Sequence, residues 1–176
     1  YGLYVIAEAN QESHGFGYAK HAPSGTPLFA KQIMERNQHN VGTKFNHTSI
    51  VFWSLGNETC YSKNFDYAYD WIKSQDQSRP VQYERAEEKG YATDNFCPMY
   101  YSPKDCEAYS KDPNYTRPLI QCEFNHTMGN SGGNLKEYWE LIRKYPKFQG
   151  GFDWDFVDQG LHRTAHFDAS RTTKDY

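Results

Sequence analysis

Residues 50–58 read IVFWSLGNE, an almost unbroken apolar run that stops on Gly56, Asn57 and Glu58. A buried strand that ends on a carboxylate must supply that group with partners or solvent, because an isolated ionised carboxylate is costly to bury. The pattern returns in PLIQCEF, where a second apolar run carries into Glu123. These two stretches, near 49–55 and 118–124, join further candidate strands near 2–8, 80–84, 94–100 and 148–156. None alternates cleanly between polar and apolar positions, which suits strands covered on both faces of a parallel sheet.

Helical spacing fills several of the intervals. Phe65, Ala68, Tyr69 and Ile72 fall at i, i+3, i+4 and i+7 after a candidate cap at Asn64, and Leu135, Tyr138, Trp139 and Ile142 repeat the spacing after Asn134. Glu137 stands three residues beyond that second cap. Phe29, Ile33 and Met34 indicate another helix after Thr26, and Trp53 and Trp139 read as core. Prolines at Pro80 and Pro118 each stop the preceding segment just before a strand.

Alternating strand and connector implies a parallel α/β sheet, which a doubly wound sheet or a (β/α)8 TIM barrel would satisfy. The polar residues favour the barrel, because barrel enzymes draw their chemistry from the C-terminal ends of several strands. Here those ends carry Glu12 and His14, Asn57 and Glu58, Glu84, Tyr100, Glu123 and His126, and Trp154 with Asp155. A full barrel takes about 250 residues, whereas this chain has 176. The expectation is therefore an incomplete (β/α)8 barrel with about six of the eight strand–helix units.

Charge and composition exclude other classes. The net charge is −3, with lysines and arginines scattered among acids, so no electrostatic footprint for a nucleic acid is present. The longest apolar runs are too short to span a bilayer. Cys60, Cys97, Cys106 and Cys122 have neither CxxC spacing nor the density of a small secreted scaffold, and read as ordinary thiols. The chain opens on YGLYVIAE without Met or a signal-peptide pattern, so its start is expected to be missing or processed away.

Two glutamates at facing strand ends are the usual apparatus for splitting a glycosidic bond: one protonated to assist the leaving oxygen, the other ionised to attack carbon or activate water. At this point whole motifs match. SLGNE and CEFNHTMGNS, with AEANQESHG ahead and QGGFDWDFVDQG behind, plus SRPVQYE and CPMY between, closely resemble the catalytic barrel of glycoside hydrolase family 2, and within it the β-galactosidase branch. The likeness runs from residue 1 to about residue 160.

The resemblance implies that Glu58 is the acid/base and Glu123 the nucleophile of a retaining hydrolysis of terminal β-D-galactosides. It implies that Asn57 reaches the substrate 2-hydroxyl, that Tyr100 contacts the nucleophile, that His126 binds substrate hydroxyls and that Trp154 floors the sugar. Glu12 and His14, with Glu58, match its magnesium site. By the same resemblance the complete enzyme can also bind a sodium ion and is expected to be a homo-oligomer; a cytoplasmic location is favoured, with a periplasmic or secreted one left open. The whole chain, residues 1–176, is then a partial barrel of a larger multidomain glycosidase. Other readings are a β-glucuronidase or β-mannosidase of the same family, or an inactive sugar-binding fragment. Glu84 and Asp155 also sit at strand ends and are expected to be ordinary solvated or ion-paired acids. Past Gly160, HRTAHFDASRTTKDY departs from the family pattern.

Overall fold

The structure, a computed structural model, describes residues 2–19, 22–127, 132–155 and 157. The first strand, β1 (Val5–Glu8), pairs in parallel with β2 (Ile50–Ser54), which pairs in parallel with β3 (Val81–Gln82). A second parallel pair is β4 (Leu119–Phe124) with β5 (Phe148–Asp153).

The strand expected over 94–100 is not a regular strand, and this corrects the sequence reading. The segment runs beside β4 through parallel bridges at Phe96 and Met99 only. Pro98 has no N–H to give to the ladder, so pairing is interrupted there, although the Phe96 and Pro98 carbonyls accept from Ile120 and Cys122. On its other side Asp94 closes the gap to β3: its N–H donates to Val81 O, and its carboxylate accepts from Val81 N, both at 2.8 Å. The resulting succession is six parallel segments in chain order, a part of a barrel and not a closed one.

Among the described residues four α-helices pack on the outside. Helix α1 (Ala30–Lys44) and α2 (Lys63–Gln75) cover β1–β3, burying Ile33, Val41, Phe65, Ala68 and Ile72 against Trp53, Leu55 and Val81. Helix α3 (Pro103–Lys111) and α4 (Leu135–Lys144) cover β4 and β5 around Phe96, Tyr109, Leu119, Phe124 and Phe148. Full burial of each such side chain contributes about 1.5–3 kcal/mol.

Local details depart from expectation for identifiable reasons. The cap of α2 is Ser62, whose hydroxyl accepts from Asn64 N, while the Asn64 amide donates to the carbonyls of Ser24 and Thr26. Asn134 does stand at the start of α4, but its side chain makes no capping bond. Trp139 is 47% exposed, not core: α4 turns Tyr138 inward and leaves the indole under Arg143. Trp53 is fully buried, its N–H donating to Asp76 at 2.9 Å. Helix α1 runs far beyond the apolar signal at Phe29–Met34, because its inner face also buries Asn37 and Asn40. Their amides reach the carbonyls of Leu55 and Ala7.

All four thiols are free, three of them buried and Cys122 partly so. Among the described residues no helix is long and apolar enough to cross a membrane.

Candidate active site

The end of β2 is built around a glycine. Gly56 has φ +146°, and a Cβ there would lie 2.6 Å from the backbone oxygen of Gln11, so only glycine admits so close a backbone approach. That approach lets Asn57 N donate to Gln11 O at 2.9 Å and forms a parallel bridge between Asn57 and Glu12. Two segments 45 residues apart in numbering thereby place Glu12, His14 and Glu58 together. The ligand atoms they offer all lie within 4.8 Å of one another, and His14 Nδ1 stands 2.6 Å from Glu58 Oε2.

Glu58 itself is left-handed, with φ 37°. A side chain other than glycine pays about 1–2 kcal/mol for that conformation, which persists where the surroundings over-determine it. Around it the Thr59 hydroxyl donates to Asn57 O at 2.8 Å, and the buried Tyr83 hydroxyl donates to Thr59 O. Tyr83 is fixed in turn by stacking on Phe65 at 4.2 Å.

At the end of β4, Glu123 Oε2 accepts from the Tyr100 hydroxyl at 2.5 Å, and Tyr100 N donates to Glu123 O at 2.8 Å. Tyr100, like Glu58, has a positive φ, 55°. Its ring meets His126 edge-on at 5.6 Å. Burial is the largest influence on Glu123 and raises its pKa; the Tyr100 hydroxyl opposes this, the Glu58 and Glu12 charges add to it, and His126 opposes it. Thus Glu123 and Glu58, 65 positions apart in the numbering, sense one another electrostatically across the strand ends.

Trp154, just beyond β5, is held by a bond from its N–H to Phe124 O and is 40% exposed. It lines a cleft of about 490 Å³ together with Glu12, Asn57, Glu123, Glu8 and Tyr4. A depression of about 580 Å³ between β1 and α1 contains neither Glu58 nor Glu123, so size alone does not mark the site. The structure therefore gathers Glu12, His14 and Glu58 in one cluster, and Tyr100, Glu123 and His126 in another. Asn57 joins the two along the cleft wall.

For a magnesium ion, two carboxylates with room for water form a suitable donor set, while one imidazole is a less usual ligand for so hard a cation. The cluster fits such an ion on the chemistry of its oxygens. Residues 128–131, part of the CEFNHTMGNS motif, and the segment past Gly160 lie outside the described residues.

One strand end was undervalued in the sequence. Of the two readings of Glu84, solvated or ion-paired, the structure bears out the second: it is 9% exposed and paired with Arg85. Burial pushes its carboxyl up to about 7, against the pull of Arg85 and of the Glu58 backbone N–H that faces it. Arg85 Nε stands 2.9 Å from Glu84 Oε2 without the alignment of a hydrogen bond, and Glu84 Oε1 has no aligned donor among the described residues. The signal available in sequence was its position in SRPVQYE, at the same end of a strand as Glu58 and Glu123.

The family described as glycosyl hydrolases family 2, TIM barrel domain, matches residues 1–175. A β-galactosidase of Pseudoalteromonas haloplanktis is 46% identical over 173 residues, covering 92% of this chain and 17% of that protein. A β-galactosidase of Leuconostoc mesenteroides subsp. mesenteroides is 45% identical over 178 residues, covering 92% of this chain and 16% of its own length. The chain thus spans about a sixth of the length of these relatives. Among solved structures, a β-glucuronidase of an uncultured Clostridium sp. superposes with a TM-score of 0.66 at 18% identity, covering 88% of this chain and 34% of that one. The β-glucuronidase of Ruminococcus gnavus gives 0.64 at 18% identity, covering 94% and 35%. At such identity these two structures speak for the fold alone.

Proposed function

The chain belongs to glycosyl hydrolase family 2, as part of its TIM barrel domain, and from that premise we propose that it carries the catalytic glutamates of a retaining β-galactosidase. The observation that carries the proposal is the pairing of two separately held carboxylates at the same ends of parallel strands: Glu58 beside His14, and Glu123 under the Tyr100 hydroxyl.

In this mechanism Glu58 gives its proton to the glycosidic oxygen as Glu123 attacks the anomeric carbon, forming a glycosyl ester and releasing the aglycone. Glu58, now ionised, takes a proton from water, which attacks the same carbon and frees Glu123. Retention requires the two carboxyls to stand about 5–5.5 Å apart. The Tyr100 hydroxyl orients the attacking carboxylate, Asn57 is placed to meet the 2-hydroxyl, and His126 meets other sugar hydroxyls. The indole face of Trp154 suits the apolar face of a pyranose. Glu12, His14 and Glu58 would hold the magnesium ion, which supplies positive charge beside the acid/base carboxyl.

The proposal extends to the architecture: this chain is a part of a longer, multidomain enzyme whose further strands pair with the open edges of β1 and β5. Leu3, Tyr4, Phe152 and Trp154 are exposed along those edges, and such edges and apolar surface otherwise invite association. The galactoside assignment over glucuronide or mannoside rests on the names of the relatives at 43–46% identity.

The test is a panel of nitrophenyl β-galactoside, β-glucuronide and β-mannoside with the full-length enzyme, beside the 176-residue chain alone. The expected result is galactoside hydrolysis by the full-length enzyme, with the β-anomer released first by NMR, and little from the isolated chain. In Glu123→Gln, activity should fall by orders of magnitude with folding intact. Unchanged hydrolysis in that variant would remove the nucleophile assignment and favour a non-catalytic role for this chain.

A further inference from the structure

Glu58 stands at the end of a series of side-chain contacts. His14 Nδ1 lies 2.6 Å from its carboxylate, and the His14 ring stacks on Tyr18 with centroids 5.6 Å apart. The Arg85 guanidinium lies 3.7 Å from the centroid of that same Tyr18 ring, a separation at which a cation and an aromatic face attract. Arg85 is paired in turn with its neighbour Glu84, its Nε 2.9 Å from Glu84 Oε2. The contacts therefore form an open circuit: Glu58 carboxylate, His14, Tyr18, Arg85 and Glu84.

The circuit is anchored where it needs to be. Residues 84–86 form a tight turn directly after Tyr83, which is wholly buried and bonded to Thr59 O. The Cys60 thiol donates to Tyr18 O at 3.1 Å, tying the outer loop to the same turn after β2. A buried acid with only a misaligned ion pair is poorly served as a stabilising element, since such groups cost more than they return unless well bonded. Its placement instead matches the requirement set by the left-handed Glu58, which must be over-determined to stay as it is.

We propose that Glu84, acting through Arg85, Tyr18 and His14, is a positioning residue for the acid/base carboxyl. This rests on the reading of Glu58 as the acid/base. Glu84 touches no substrate; its effect is on where the Glu58 proton is delivered. Misplacement of a catalytic group by about 1 Å costs on the order of 100-fold, and the loss must fall on the step that needs the proton.

That requirement gives a test with two substrates. A dinitrophenyl β-galactoside has a leaving group that departs unprotonated, whereas an alkyl β-galactoside needs the acid. In the full-length enzyme, kcat/KM, which reports galactosyl transfer to the protein, is measured for Glu84→Ala, Glu84→Gln, Tyr18→Ala and, as reference, Glu58→Ala. Expected for Glu84→Ala is a loss of about 10–100-fold on the alkyl substrate, with the dinitrophenyl value within about threefold. Glu84→Gln, which keeps an oxygen beside Arg85, recovers much of the loss, and Tyr18→Ala shows a smaller loss of the same selective kind.

Equal losses on both substrates, or none, would show that Glu84 serves folding only and overturn the proposal. Should Glu84→Ala not fold, Tyr18→Ala decides by the same criterion. If Glu58→Ala itself lacks the contrast between substrates, the assignment of the acid/base falls, and this inference with it; if it shows the contrast and Glu84→Ala does not, only the positioning role is refuted.

Discussion

Replacing Tyr100 by Phe removes one hydroxyl from Glu123, the proposed nucleophile, and little else. The backbone bond from residue 100 to Glu123 O at 2.8 Å and the edge contact of its ring with His126 at 5.6 Å both survive. What is lost is the 2.5 Å bond to Glu123 Oε2. A hydrogen bond to a charged group is worth about 1.5–3 kcal/mol, and the 40% exposure of Tyr100 argues for the lower half of that range. Since about 1.4 kcal/mol is tenfold in rate, kcat/KM on dinitrophenyl β-galactoside should fall by about 10–30-fold. The pH profile should move as well. Burial raises the Glu123 pKa and the Tyr100 hydroxyl is the first influence opposing it, so Phe lets it rise further. Because a nucleophile works ionised, activity is lost as pH falls through that pKa, and the acidic limb should shift to higher pH. Steady-state kinetics of the full-length enzyme between pH 4 and pH 8, roughly the span of carboxylate and histidine titration, provides the check. A variant within twofold of the parent and with an unmoved acidic limb would refute the idea that this hydroxyl holds the nucleophile.

Three further outcomes are expected. Chelation should depress activity, and magnesium should restore it; His14→Ala should weaken magnesium binding measured directly by calorimetry, and identical binding in both proteins would remove His14 from the ion's ligands. Gly56→Ala drives a Cβ to 2.6 Å from Gln11 O, at a cost of about 2–3 kcal/mol. It should also separate Glu12 from Glu58, so urea unfolding and magnesium affinity should fall together. Asp76 accepts from Trp53, Arg79, and the Ser78 hydroxyl and N–H. Burial works to raise its pKa, but those donors outweigh it and hold the carboxyl well below the usual range. Asp76→Ala should cost about 3 kcal/mol, as for a broken buried pair. Because the folded value is depressed, this contribution is whole above the ordinary aspartate value of 3.8 and declines as pH falls below it. Unfolding measured from neutral pH down to about pH 3 should show parent and variant converging at the acid end, and a gap that instead widens would contradict the sign.

Several elements were legible before any coordinates, and several were not. The apolar runs at 50–54 and 119–124 became β2 and β4 because strand formation there needs little beyond local β propensity, helped at β4 by Pro118 at its entry. Helix α2 followed from its apolar spacing. Helix α3 escaped notice, although Ser102-Pro103 with Asp105 is a legible start: the Ser102 hydroxyl accepts from Asp105 N at 3.2 Å. The extent of α1 was not legible, since Asn37 and Asn40 count as polar until the carbonyls of Leu55 and Ala7 are brought to them. Trp139 failed in the opposite direction, as its spacing places it near the apolar stripe and only the packing of Tyr138 against Phe124 shows which flank faces inward.

By itself the sequence determined that parallel strands end on carboxylates, because apolar runs, caps and turn residues act over a few neighbouring positions. Which of those carboxylates meet was settled only in three dimensions. Gly56 against Gln11 brings Glu12 and His14 to Glu58, and Tyr100 comes alongside Glu123. Each of those encounters joins residues from 23 to 46 positions apart in the numbering, and a contact of that range exists only when the intervening helices have packed.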